Sequence, residues 1–186
     1  MNLRCFIAIE IPVQIKKELG ELIDILKKYG GDVKWVMPEN VHLTLKFLGD
    51  TPEDLLPKIS GSLLTLMPSY KPFNIKVYGT GIFPSRRNPR VLWVGLEGSD
   101  ILKRLKNDIE GAMAMFGFQK EDNEFRPHLT IGRVRSRKGM ISIGGELDNF
   151  KEKDFGTFSV DGVKLMKSEL RPKGAEHTCL YDLQFS

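Results

Sequence analysis

Cysteine is scarce: only Cys5 and Cys179 occur in 186 residues, near opposite ends and in no C-x-x-C or Cys/His ligand spacing. Neither a disulfide framework nor a cysteine-based zinc site is encoded, and the two read as free thiols. Long apolar runs are missing too. The N-terminal one, residues 5–9, stops at Glu10 and Pro12, far short of a secretory h-region or of the ~20 residues that a membrane span needs. The expectation is a cytoplasmic protein with no membrane association. There is no low-complexity tract and no acidic tail, and with 41% hydrophobic and 28% charged residues the chain is expected to fold as one unit over residues 1–186. The net charge is only +4. The basic residues bunch, however, at Arg86, Arg87 and Arg90 and again at Arg126, Arg133, Arg135, Arg137 and Lys138, which suits either an anionic partner or a solvated face.

Periodicity divides the chain into two similar runs of elements. Residues 3–10 alternate as a strand, and Pro12 opens a helix with Ile15, Leu19, Leu22, Ile23 and Leu26 on one face, ended by Gly30-Gly31. Residues 33–48 read as strand broken near Pro38-Glu39-Asn40. A second helix starts after Thr51, with Leu55, Leu56, Ile59, Leu63, Leu64 and Met67 as its apolar face, and residues 73–82 form a strand. The order then returns. Residues 91–96 form a strand, Ser99 caps a helix bearing Leu102, Leu105, Ile109, Met113 and Phe116, and a strand follows at 127–131. Residues 135–153 are irregular and read as a surface connection, and two strands at 155–166 and 177–185 close the chain. From Leu3 to His42 is 39 positions and from Arg90 to His128 is 38, the spacing of a duplication. The predicted fold is α+β: two pseudosymmetric lobes of antiparallel sheet, roughly 1–82 and 90–186, with helices outside and a central groove between.

Of only three histidines, two begin the same tripeptide, His42-Leu43-Thr44 and His128-Leu129-Thr130. A shuffled sequence of this composition does so on the order of once in ten thousand times. On a strand, His42 and Thr44 share one face while Leu43 and Leu45 take the other, and His128 and Thr130 repeat this against Leu129 and Ile131. A groove shared by both strands therefore receives two imidazoles and two hydroxyls. A neutral imidazole takes a proton from an attacking water, a protonated one gives a proton to a departing oxygen, and each hydroxyl donates to a non-bridging phosphate oxygen. This scheme needs no metal and no other cofactor. Two histidines without cysteine, His-x-His or His-Glu-x-x-His make a poor ligand set, and no Gly-x-Ser-x-Gly elbow supplies a serine nucleophile. His177, followed directly by Thr178 without the leucine, reads as structural.

At Arg4-Cys5-Phe6-Ile7-Ala8-Ile9, Val41-His42-Leu43-Thr44-Leu45-Lys46-Phe47-Leu48-Gly49 and Arg126-Pro127-His128-Leu129-Thr130-Ile131-Gly132-Arg133 the chain resembles the 2H phosphoesterase superfamily, and within it the bacterial and archaeal RNA 2′,3′-cyclic phosphodiesterases once called 2′-5′ RNA ligases. The resemblance implies hydrolysis of an RNA 2′,3′-cyclic phosphate to a 2′-phosphomonoester by a monomer, with His42 as proton donor and His128 as acceptor, and an association with reversible 2′-5′ ligation. The two motifs themselves do not distinguish donor from acceptor. The resemblance also points to Phe47 as a stacking platform and Arg133 as a phosphate or base contact. Strict alternation sends both to the face opposite the histidines, so the strands must bulge, near Gly49 and Gly132, and Phe47 as plain core is the competing reading. Lys46 falls on the histidine face and is the alternative phosphate contact. Two other functions fit the residues: a non-catalytic module gripping RNA ends, and a phosphodiesterase for a small cyclic nucleotide phosphate or a 2′-5′ oligonucleotide.

Overall fold

A computed structural model describes residues 1–98, 100–122, 124–171 and 174–186. The strands are β1 (Asn2–Glu10), β2 (Val33–Trp35), β3 (His42–Pro52), β4 (Phe73–Pro84), β5 (Pro89–Glu97), β6 (His128–Val134), β7 (Asp154–Val160), β8 (Gly162–Arg171) and β9 (Gly174–Gln184). The helices are α1 (Val13–Lys27), α2 (Leu56–Leu66), α3 (Asp100–Ala114) and α4 (Met140–Asp148). Among the described residues no helix is long and apolar enough to cross a membrane. The helix expected at Ser99 is present as α3, but Ser99 lies outside the described residues.

All strand pairs are antiparallel, and they build two sheets, ordered β3-β1-β8-β9 and β2-β6-β5-β4-β7. Without β2, the second order reads β6-β5-β4-β7, so β3 corresponds to β6, β1 to β5, β8 to β4 and β9 to β7. This pseudo-two-fold relation places the two tripeptides at matching positions. The expected α+β fold with duplicated lobes is the observed one. Its boundaries are not. β4 crosses to the sheet of the second motif and β8 and β9 return to the sheet of the first, so each lobe draws on both halves of the chain and a division at 82/90 matches neither.

The helices cross over as well. α1 follows β1 but packs against β7 and α4, whereas α3 follows β5 but packs against β3 and α2. Their apolar stripes explain this: Ile15, Leu19, Leu22, Ile23 and Leu26 of α1, and Leu102, Leu105, Ile109 and Met113 of α3, are all buried. A stripe so continuous has to be covered along its whole length, and the partner lobe supplies the cover. Two expectations need correction. Residues 135–153 are not simply a surface connection, because α4 within them buries Met140, Ile143 and Leu147. The closing segment holds three strands, not two, since the first breaks at Asp161.

Candidate active site

His42 and His128 begin β3 and β6. Each imidazole Nδ1 lies 2.7 Å from a backbone carbonyl two residues earlier, Asn40 for His42 and Arg126 for His128. A carbonyl only accepts, so Nδ1 carries the hydrogen and Nε2 of each ring is left free to exchange a proton. An aromatic ring braces each one. Phe6, on neighbouring β1, stacks on His42 with centroids 4.7 Å apart and planes at 29°, and Phe83 of β4 meets His128 edge-on at 5.0 Å and 86°.

A bulge in each strand then redirects the side chains. In β3, Thr44 pairs with Ala8 and Lys46 with the adjacent Ile7, so Leu45 is the extra residue. In β6, Thr130 pairs with Trp93 and Gly132 with the adjacent Leu92, so Ile131 is the extra one. Each bulge sends two successive residues to the core, Leu45 with Lys46 and Ile131 with Gly132, and returns the next to the histidine face. Phe47, 58% exposed, and Arg133 are those next residues. The bulge adjoins Gly132 as expected; in β3 a second irregularity, at Leu48, does adjoin Gly49, but it follows Phe47, so the one at Leu45 is what returns Phe47 to the histidine face. At Gly132 a Cβ would stand 2.7 Å from Val33 Cγ1 and 3.1 Å from Trp35 Cε3, so close packing against β2 excludes a side chain there.

The same bulge takes Lys46 out of the site, and its reading as a phosphate contact is corrected. Lys46 is 2% exposed; its Nζ pairs with Glu110 Oε2 at 2.7 Å and donates to the Gln119 carbonyl at 2.5 Å. Lys106 pairs with the other Glu110 oxygen and, at 2.9 Å, with Glu121. Burial works against the charge of Glu110, but the two ammonium groups hold its carboxyl below the usual carboxylate range.

His42, Thr44 and Phe47 thus share one face of their sheet, and His128, Thr130 and Arg133 share the corresponding face of the other. Cα atoms of β3 and β6 approach within 8 Å. Burial is the main cause that pushes His42 down to about 4, opposed by its hydrogen bond to Asn40 and assisted by the charges of His177, Lys16 and Arg133. Arg133 of one lobe is therefore within electrostatic reach of the histidine of the other. His177 reads as structural in sequence, yet its ring centroid is 5.2 Å from that of His42. No tripeptide marks it. Phe6 lies in the first of the stretches that carry the resemblance, and its stack on His42 is what gives it a part in the site.

Two equivalent strands thus each present an imidazole, held through Nδ1, and a hydroxyl two residues on. The chain belongs to the LigT-like phosphoesterase family, whose model matches it twice, over residues 9–93 and 94–175, consistent with the pseudo-two-fold relation of its sheets. It is 35% identical over 181 residues to an RNA 2′,3′-cyclic phosphodiesterase of Methanothermobacter thermautotrophicus, covering 96% of each chain. It is 35% identical over 183 residues to a protein of the same name from Thermotoga maritima, covering 98% of this chain and 96% of that one. Its fold superposes on TT0787 of Thermus thermophilus with a TM-score of 0.83 at 28% identity, covering 98% of both chains. E. coli LigT complexed with 3′-AMP shares the fold, with a TM-score of 0.77 at 22% identity over 100% of this chain and 99% of that one.

Proposed function

We propose that this protein hydrolyses 2′,3′-cyclic phosphate ends of RNA to 2′-phosphomonoesters, using His42 as proton donor and His128 as proton acceptor. The observation that carries the reading is the matched pair of imidazoles, both held through Nδ1–H, on equivalent strands of two lobes. His128 takes a proton from water as its oxygen bonds to phosphorus; the bond from phosphorus to the ribose O3′ breaks, and O3′ takes its proton from His42. Thr44 and Thr130 donate to the non-bridging oxygens, where charge concentrates. With a ribose 5′-hydroxyl in place of water, the same step forms a 2′-5′ linkage as O3′ leaves with its proton, and its reverse cleaves that linkage and restores the cyclic phosphate. All of these groups come from one chain, so a monomer suffices, and an intracellular RNA end is the substrate a cytoplasmic protein would meet.

His42, held at about 4 by burial, is neutral in the free protein at pH 7. A docked phosphate places a negative charge beside it, which favours the imidazolium and draws the pKa upward. The sign of the pH dependence follows. As proton donor His42 works only in its charged form, and the base only in its neutral one. Below the lower limb both are charged, so the titration of His42 places that limb of kcat/KM, which reports the free protein, at about 4. The corresponding limb of kcat lies higher because the bound phosphate keeps the donor charged to higher pH. Initial rates between pH 3 and 9 check this; limbs of kcat and kcat/KM at the same pH would contradict it.

Phe47 and Arg133 face the groove from opposite lobes and serve as stacking platform and phosphate or base contact. Lys34 of β2 stands opposite Arg133 in register, and the Arg135 amide continues the pairing by donating to the Asp32 carbonyl at 2.8 Å. These cations line a path for the RNA body. Arg86 and Arg126 contribute less, being paired with Asp148 and Glu124. Phe47→Ala or Arg133→Ala is expected to raise KM about tenfold on any substrate. Lys34→Ala or Arg135→Ala should raise KM for an oligonucleotide only, and lower the salt slope by about 1.

The deciding assay compares an oligonucleotide ending in a 2′,3′-cyclic phosphate with a small cyclic nucleotide phosphate and a 2′-5′ dinucleotide, in EDTA. Faster turnover of the RNA end supports the reading; preference for a small substrate favours the alternative phosphodiesterase, and loss of turnover in chelator overturns the metal-independent scheme.

A further inference from the structure

His177 belongs to β9, which is separated from β3 by β1 and β8 in the sheet. The sheet nevertheless curls far enough to bring its ring edge-on to His42, with centroids 5.2 Å apart and planes at 89°. Phe6 completes a three-ring cluster, stacked on His42 at 4.7 Å and meeting His177 at 5.1 Å and 75°. β9 has a second hold on the same residue. Asn40, whose carbonyl accepts His42 Nδ1–H, donates its own Nδ2–H to the carbonyl of Ala175 at 2.7 Å, two residues before His177. One short stretch of β9 thus fixes both the ring of His42 and its hydrogen-bond partner.

A histidine kept for structure alone normally spends its nitrogens on hydrogen bonds. His177 does not: its Nδ1 is buried and has no partner among the described residues. What its ring does contact is His42 and Phe6, beside a cavity of about 110 Å³ that Ala8, Lys164 and Met166 also line.

We propose that His177 is a positioning residue for His42, its ring closing the open side of the imidazole so that His42 stays dry and in one orientation. The inference rests on the paired-histidine reading above. Five other charged groups face His42: Glu10 of β1, Lys16 of α1, Glu39 of the turn before β3, Lys164 of β8 and Arg133 of β6. Lys16 and Lys164 both pair with Glu10, which offsets their charge. The state of His42 is therefore set chiefly by exclusion of water, which His177 enforces. Burial also holds His177 below the ordinary histidine range, and the push of its charge on His42 is smaller than that of burial.

The test compares His177→Ala, His177→Phe and His42→Ala with the unsubstituted protein, by kcat and KM on a cyclic-phosphate RNA end and by NMR titration of the imidazoles. With His177 replaced, only His42 and His128 resonate, so assignment is simple. In His177→Ala, kcat is expected to fall about tenfold with KM changed less than about twofold, and the His42 pKa to rise well above its value of about 4, taking the lower limb of kcat/KM with it. In His177→Phe, which keeps a ring edge against His42, kcat recovers to within about threefold and the pKa stays low. An unchanged pKa and kcat in His177→Ala would overturn the inference, as would a Phe variant no better than the Ala one. His42→Ala separates the two claims. Turnover surviving that substitution defeats the paired-histidine reading itself, whereas turnover lost there but intact in His177→Ala defeats this inference alone.

Discussion

Replacing either His42 or His128 by alanine lowers kcat on a cyclic-phosphate RNA end by about 10²–10⁴-fold, with KM changed far less. Each imidazole stands on the groove face with Nδ1 committed to a backbone carbonyl, so alanine removes a proton carrier without leaving a buried charge or breaking a strand ladder. The double variant is expected to be little worse than the poorer single one, because acid and base act in one step and losing either stops concerted transfer. Single-turnover rates on the three variants measure this. Multiplicative losses would mean that the histidines act in separate events.

The second large effect falls on stability. Lys46→Ala removes one of the two ammonium groups from Glu110, a carboxylate 7% exposed, and also leaves the Gln119 carbonyl without its donor. Stripping one partner from a buried ion pair typically costs about 3–5 kcal/mol, and about 3 is expected here because Lys106 stays with Glu110. Urea unfolding reads the loss, and kcat/KM well below the melting temperature should be unchanged within about twofold. A large rise in KM with stability intact would instead return Lys46 to the role of phosphate contact. The network also has a consequence for the site, since it ties β3 through α3 to the segment that leads into His128.

Much of the architecture is legible in the sequence because it rests on periodicity. The stripes of α1 and α3 and the alternation around both tripeptides mark a helix or strand from sequence alone, and the repeat of His-Leu-Thr marks the site. What is not legible depends on contacts remote in sequence. Strict alternation assigns Lys46 and Phe47 to the wrong faces, because bulge positions depend on pairing with β1 and β5, and only Gly132 carries a local cue. Which lobe takes β4, β8 and β9 is a question of sheet order, on which no single strand bears a mark. The burial in α4 is hidden because Gly139, Gly144 and Gly145 interrupt its apolar pattern. His177 lacks a complete motif, and its position comes from the curl of a four-stranded sheet.

The central claim is that this groove opens a 2′,3′-cyclic phosphate by water attack between two histidines. The most direct measurement is the product formed in ¹⁸O-labelled water from an RNA ending in that group, followed by ³¹P NMR with the unsubstituted protein and with His42→Ala and His128→Ala. The account predicts a 2′-phosphomonoester carrying one labelled oxygen from the unsubstituted protein and almost none from either variant in the same time. A 3′-phosphomonoester, or undiminished product from either variant, would contradict it.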